Sequence, residues 1–290
     1  MELTNAREIK SLLERHGFRF SKAMGQNFLV EDWVPRRIAD EAGLDAGSGV
    51  LEVGPGIGCL TARIAEHAGK VVAVELDRDL APILGETLAD YSNIELIFDD
   101  VLKLELCKLV SEHMPGLKPA VCANLPYNVT SPLLAAFIDA HCFESITVMV
   151  QREVARRLCA SPGTSEYGAF TIYVNWNCEA EILFDVTPDC FMPRPKVTSS
   201  VLRLVPRAAP PVKTENEALM FKLVRASFNQ RRKTLVNALA NGLAGYSRDE
   251  VARAMEACAI PPLTRGETLS PSEFAGLADM LEKVHKSTDN

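Results

Sequence analysis

No apolar run in this 290-residue chain reaches the roughly 18–20 residues that a membrane-spanning helix needs. The first ten residues, Met1 to Lys10, carry charges and no apolar segment, so they do not read as a secretory signal. The eight cysteines include no C-x-x-C pair, which argues against a zinc site and against a disulfide framework. Scattered thiols with no secretion signal are expected to be reduced and partly buried, as in a cytoplasm. Internal repeats and low-complexity tracts are missing too. So is any excess of positive charge: 31 basic against 38 acidic side chains give −7, a balance that disfavours a polyanionic partner. What is left, 47% hydrophobic and 24% charged, is ordinary for a soluble globular protein with a main domain and a smaller satellite.

Charge is unevenly placed, however. Between Phe191 and Arg207 stand Arg194, Lys196, Arg203 and Arg207 with no acid among them. From Ala218 to Arg248 stand Lys222, Arg225, Arg231, Arg232, Lys233 and Arg248, again with no acid. A helix from Phe221 to Leu239 puts Lys222, Arg225, Asn229, Arg232 and Lys233 on one face, beside an apolar stripe of Phe221, Val224, Phe228, Leu235 and Leu239. A solvated helix face is the usual meaning of such a run. In an otherwise acidic chain it reads rather better as a phosphate-binding surface.

From Val50 onward, short β-rich runs alternate with longer amphipathic stretches. VLEV (50–53), VVAVE (71–75), IELIF (94–98), AVCAN (120–124) and SITVMV (145–150) read as buried strands. Leu60–His67, Asp79–Tyr91 and Ser131–Ala140 read as helices between them. The alternation predicts an α/β fold with a parallel sheet covered on both faces. Extended runs at 169–186 and 198–205 add late antiparallel strands at its edge. PRAAPPVKTEN (206–216) breaks all periodicity and reads as a linker, after which the pattern is helical as far as Lys286. The outline is an α/β domain over 1–205, the linker, and a small all-helical domain over 217–290.

LEVGPGIGCLT (51–61) follows a strand and opens a helix. Gly54, Gly56 and Gly58 let the backbone turn tightly and let a ligand approach its amides. Glu75 ends the next strand, where a carboxylate can accept both ribose hydroxyls of a nucleoside cofactor. Asp100 follows the third strand, placed to accept from an adenine amine. The G-x-G-x-G spacing differs from the G-x-G-x-x-G of dinucleotide binders, so a nicotinamide-linked dehydrogenase is a weaker alternative. Over 50–150 the acid Glu52, the glycine loop and the acids at successive strand ends resemble the S-adenosylmethionine-dependent methyltransferases, with their Rossmann-like class I sheet.

Such an enzyme needs an acceptor site, and CANLPYNV (122–129) lies where a buried strand ends. The exocyclic amine of adenine is a poor nucleophile, because its lone pair is delocalised into the ring. Asn124 Oδ1 and the carbonyl of Leu125 or Pro126 are a natural pair to accept its two hydrogens, with Pro126 fixing the turn. Tyr127 offers an aromatic face, and stacking is worth about 1–3 kcal/mol per base. Taken alone, the same residues describe a β-to-α turn with Tyr127 in the core. FMPRPKVTSSV (191–201) offers Phe191, on a proline-stiffened loop beside Arg194 and Lys196, as a second platform for an extruded base. Its plainer role is to anchor a hydrophobic cluster.

These segments, with KAMGQNFL (22–29), VELDRDL (74–80), NLPYNVTSPLL (124–134), MVQREVARRL (149–158), EYGAF (166–170) and FNQRRKTLVNAL (228–239), occur in one order along nearly the whole chain. Together they resemble the small-subunit ribosomal RNA adenine N6,N6-dimethyltransferases. The resemblance implies transfer of methyl groups from S-adenosyl-L-methionine to two adjacent adenosines near the 3′ end of small-subunit ribosomal RNA, each amine being methylated twice. It implies that Asn27, Leu29, Gly54, Gly56, Glu75, Asp100 and Asn124 bind the cofactor, with an N-terminal segment covering it. Asn124, Pro126, Tyr127 and Phe191 would serve catalysis, no metal would take part, and the helical domain would contact RNA or the pre-small ribosomal subunit. A cytoplasmic monomer is expected. Two alternatives share much of this pattern: a methyltransferase acting on a large-subunit adenosine, and a ribosome-assembly or transcription factor that keeps the fold and binds without catalysis.

Overall fold

A computed structural model describes residues 2–20 and 25–288, so residues 22–24 of the 22–29 motif lie outside the described residues. Its helices are α1 (Ala6–Arg15), α2 (Trp33–Glu41), α3 (Cys59–His67), α4 (Ala81–Thr87), α5 (Leu106–His113), α6 (Thr130–Ala140), α7 (Arg152–Leu158) and α8 (Ala169–Asn177). Toward the C-terminus come α9 (Glu217–Asn229), α10 (Leu235–Gly242), α11 (Arg248–Ala257) and α12 (Pro271–Thr288). The strands are β1 (Phe28–Leu29), β2 (Ser48–Val53), β3 (Lys70–Glu75), β4 (Ile94–Phe98), β5 (Lys118–Asn124), β6 (Ser145–Gln151), β7 (Cys178–Val186), β8 (Phe191–Met192) and β9 (Ser199–Pro206).

Seven strands form one sheet in the order β4-β3-β2-β5-β6-β9-β7. Strands β4, β3, β2, β5 and β6 pair in parallel, and β9 runs antiparallel to β6. β2 and β3 are buried almost throughout because helices cover both faces, which is why they read as near-continuous apolar runs. The order reverses between β2 and β5, and in such sheets ligands bind outside the carboxyl ends of the strands at that point. Val53, Glu75, Phe98 and Asn124 are those ends. A separate two-stranded ribbon pairs β1 with β8, setting Phe28 opposite Met192 and Leu29 opposite Phe191.

The chain divides into two compact units, Met1–Ala155 with Ala180–Pro206, and Arg156–Glu179 with Arg207–Asn290. This differs from the boundary expected at 205, because 156–179 belongs with the helical part. In the first unit the α1 side chains Ile9, Leu12 and Leu13 share a core with Phe28, Ile57 and Ile83. In the second, Tyr167, Ile172 and Trp176 share a core with Leu223, Leu239 and Phe274.

Two expectations are corrected. The extended run at 169–186 is a helix as far as Asn177 and a strand only from Cys178. Its β-branched and aromatic composition gives way to packing, since Ile172 and Trp176 are four residues apart and both buried against that core. The single helix from Phe221 to Leu239 is broken at 230–234. There Lys233 N–H bonds to Gln230 O at 2.8 Å and Leu235 N–H to Thr264 O at 2.7 Å. Lys222 and Arg225 therefore stay on α9, while Arg232 and Lys233 fall in the turn.

Candidate active site

A cavity of about 250 Å³ opens at the carboxyl ends of β2, β3 and β5. Gly54 and Gly56 line it with φ of 69° and 61°, in the left-handed region that glycine enters without a Cβ penalty. A Cβ on Gly56 would stand 3.0 Å from the Phe28 ring, so the glycine also lets the N-terminal segment lie against the loop. The loop amides, expected to face a ligand, are bonded within the protein instead. Gly54 N–H donates to Val74 O at 2.9 Å, Gly56 N–H to Glu75 Oε2 at 3.3 Å and Gly58 N–H to Pro55 O at 2.9 Å. These three glycines therefore supply space and shape rather than free donors.

Glu75 is 7% exposed, and its Oε1 accepts from Asp77 N–H at 2.9 Å. Burial raises its pKa, with the backbone donors of Asp77 and Gly56 pulling the other way. Asp100 lines the same cavity; its Oδ1 accepts from Leu102 N–H at 3.1 Å and its Oδ2 lies 3.6 Å from Lys103 Nζ. The segment 25–29 closes one side. Asn27 Nδ2 donates to Gly25 O at 2.9 Å, and Asn27 O accepts from Asn124 Nδ2 at 3.4 Å. Leu29 joins the wall from the core side. Gln26, which the sequence did not single out, donates from Nε2 to Asp77 Oδ2 at 2.6 Å and so joins this segment to the turn below Glu75.

Asn124, Pro126 and Tyr127 line the cavity as well. Leu125 N–H donates to Met149 O at 3.1 Å, which fixes the turn to the neighbouring strand. Of the two carbonyls open to an amine, that of Pro126 is taken, accepting from Val129 N–H at 3.2 Å and Thr130 Oγ1 at 3.1 Å. Among the described residues nothing donates to Leu125 O or to Asn124 Oδ1. Tyr127 is half-buried, and its hydroxyl shares a 2.6 Å hydrogen bond with Ser199 Oγ. Burial raises the Tyr127 pKa, and the Ser199 bond opposes it.

Phe191 is the predicted site residue that the structure does not bring to the cavity. It is 3% exposed and packed in a cluster with Leu29, Met149 and Val201, because pairing of β8 with β1 turns it toward the core. Some of the expected cations are also engaged. Arg203 bonds to Glu181 at 3.0 Å, Arg207 to Glu179 at 2.8 Å, and Arg231 pairs with Glu267. Lys222, Arg225, Arg232 and Lys233 form no ion pair among the described residues and are exposed. No helix of the described residues is long and apolar enough to cross a membrane.

Compared with known families, residues 17–282 match the one described as ribosomal RNA adenine dimethylase. A protein named ribosomal RNA small subunit methyltransferase A, from Alkaliphilus metalliredigens, is 46% identical over 277 residues, covering 95% of this chain and 96% of its own. Its namesake from Geobacillus thermodenitrificans is 45% identical over 276 residues, covering 94% of each. Among solved structures, the 23S rRNA methyltransferase ErmE matches with a TM-score of 0.68 at 28% identity, covering 88% of this chain and 99% of that one. A dimethyladenosine transferase from Plasmodium falciparum matches with a TM-score of 0.72 at 24% identity, over 86% and 95%, a likeness of fold.

Proposed function

The chain belongs to the ribosomal RNA adenine dimethylase family, and from that premise we propose that it transfers methyl groups from S-adenosylmethionine to the exocyclic amines of two adjacent adenosines near the 3′ end of small-subunit ribosomal RNA. The observation that carries this reading is the pair of open acceptors, Asn124 Oδ1 and Leu125 O, on the wall of a cavity that also holds Glu75.

The cavity residues fit the cofactor. Glu75, a carboxylate held at the wall by backbone donors, suits the ribose hydroxyls, and Asp100 the adenine amine. Gly54 and Gly56 leave room for the methionine part, and Asn27 and Leu29 cover it. S-adenosylmethionine supplies an electrophilic methyl on a good leaving group. Asn124 Oδ1 and Leu125 O accept the two amine hydrogens and hold the nitrogen in line, a positioning effect of the kind that dominates when no general base is needed. The alkylated nitrogen is acidic enough to lose its proton to water. Pro126 fixes the turn, and Tyr127, steadied through Ser199, gives the base a face. Phe191 supports the loop from beneath as part of the core.

The helical unit contributes exposed cations for the RNA backbone, the substrate being the RNA within the pre-small ribosomal subunit. The protein acts as a cytoplasmic monomer. Relatives named for the small subunit, among them those from Alkaliphilus metalliredigens and a Geobacillus species, are 44–46% identical, against 28% for the large-subunit enzyme ErmE, which favours the small-subunit substrate. Primer extension on both ribosomal RNAs tests this: modification confined to large-subunit RNA would overturn it.

A further inference from the structure

A second cavity, of about 400 Å³, lies within the helical unit and is lined by α9, the end of α10 and the segment after it. It shares no residue with the cavity at the Asn124 turn. Its volume falls in the range of roughly 300–1,000 Å³ usual for ligand sites. Leu219, Ala226 and Leu243 are buried and give it an apolar part, and Tyr246 adds a half-buried ring. The side-chain amides of Asn229 and Gln230 line it without a hydrogen-bond partner among the described residues. Lys222 and Arg225 line it too, and neither forms an ion pair among those residues.

Nearby acids leave these cations uncancelled. Glu282 and Glu250, the two that act on Tyr246, are held elsewhere. Glu282 accepts from Asn216 Nδ2 at 2.9 Å and pairs with Lys286 at 2.9 Å. Glu250 is bonded to Ser247 and His285. Lys222 and Arg225 are three residues apart on one helix, so two like charges are neighbours and repel. A bound anion relieves that repulsion. A side-chain amide offers a donor and an acceptor together, which matches the edge of a base and exceeds what a phosphate alone can use. An aromatic ring with an apolar surface suits the flat faces of a base. Proteins that read single-stranded RNA combine these features, stacking an unstacked base on a ring and bonding to its edge.

We propose that this cavity is a subsite for one unstacked nucleotide of the substrate RNA. Lys222 and Arg225 serve its phosphate, Tyr246 its base face, and Asn229 and Gln230 its base edge. The proposal rests on the reading of the protein as an RNA methyltransferase. It adds that the helical unit recognises a base, other than the adenosine that is methylated, and does not act by backbone charge alone.

Ala244 lines the cavity and is exposed, so Ala244→Trp fills the space without removing a charge or a core side chain. Fluorescence anisotropy measures the binding of short RNA homopolymers and of an abasic ribose-phosphate oligomer to the full chain at one salt concentration. Ala244→Trp should keep the wild-type melting temperature and its affinity for the abasic oligomer. It should bind at least one homopolymer more weakly, by about fivefold to about a hundredfold, the range for one stacked base. Equal weakening for the homopolymers and the abasic oligomer would overturn the proposal and leave a phosphate contact only. Should Ala244→Trp fail to fold, Asn229→Ala and Gln230→Ala decide: a loss confined to base-bearing oligomers supports the subsite, and no loss overturns it. A nucleoside monophosphate that binds the wild type as tightly as the homopolymers would overturn the RNA assignment in favour of a free nucleotide. Homopolymers that bind both proteins alike remove this inference alone. No binding of the homopolymers or of small-subunit RNA by the wild type removes the RNA reading and this inference with it.

Discussion

At the turn after β5, residues lining the cavity offer two open acceptors, and a third is closed. Among the described residues nothing donates to Leu125 O or Asn124 Oδ1, while Pro126 O is held by Val129 and Thr130. Which carbonyl is available was not legible in the sequence, because it depends on the first turn after the proline. That Asn124 ends a strand was legible, since the apolar run before it is local. Asn124→Ala should lower single-turnover methyl transfer about 100-fold or more, the scale of a lost positioning contact. Calorimetric binding of S-adenosylhomocysteine should weaken only severalfold. Phe191 makes a different prediction. Its ring is core, so Phe191→Ala should lower the urea unfolding free energy by about 3–5 kcal/mol. A ring serving only as an exposed platform would leave stability unchanged.

At the scale of elements, α11 shows how a short helix is fixed by its first turn. Ser247 and Glu250 cap it reciprocally, the serine hydroxyl accepting from Glu250 N–H at 3.2 Å and the glutamate accepting from Ser247 N–H at 2.7 Å. Ser247→Ala should cost about 1 kcal/mol of stability in urea unfolding. The bonds from Ser247, and after them the His285 imidazole, bring the Glu250 carboxyl from 4.5 to about 2. A depressed pKa stabilises the fold above the ordinary value and is lost as pH falls from about 4.5 toward 2. Glu250→Gln should flatten that stretch of the stability–pH curve.

The capping box follows from neighbours in sequence, as do the strands of the central sheet. α8 does not. Phe170, Ile172, Tyr173, Val174 and Trp176 all favour a strand by type, and only partners far along the chain, such as Phe221 6.3 Å from Trp176, select the helix. For the same reason the allegiance of 156–179 to the helical unit could not be read from local pattern. The glycine loop was legible in place but not in role, because the Gly54, Gly56 and Gly58 amides find partners on β3 and within the loop itself.

Over the whole molecule the charge is −7, so RNA affinity must come from cations that are not neutralised by the protein's own acids. Lys222 and Arg225 of α9 qualify, whereas Arg207 is bonded to Glu179. Lys222→Ala and Arg225→Ala should each reduce the slope of log affinity against log salt by about 0.7–0.9, the value for one phosphate contact. Arg207→Ala should leave the slope nearly unchanged. Filter binding of small-subunit RNA across a salt series measures both.

The central claim is that the cavity and the turn at Asn124 methylate adenosine amines of small-subunit RNA. Its most direct test is transfer of labelled methyl from S-adenosylmethionine to unmethylated small subunits, followed by mapping of the modified nucleosides. Label recovered as N6-dimethyladenosine at two adjacent positions near the 3′ end, and lost with Asn124→Ala, is the predicted result. No transfer to small subunits, or transfer undiminished in Asn124→Ala, would contradict the account.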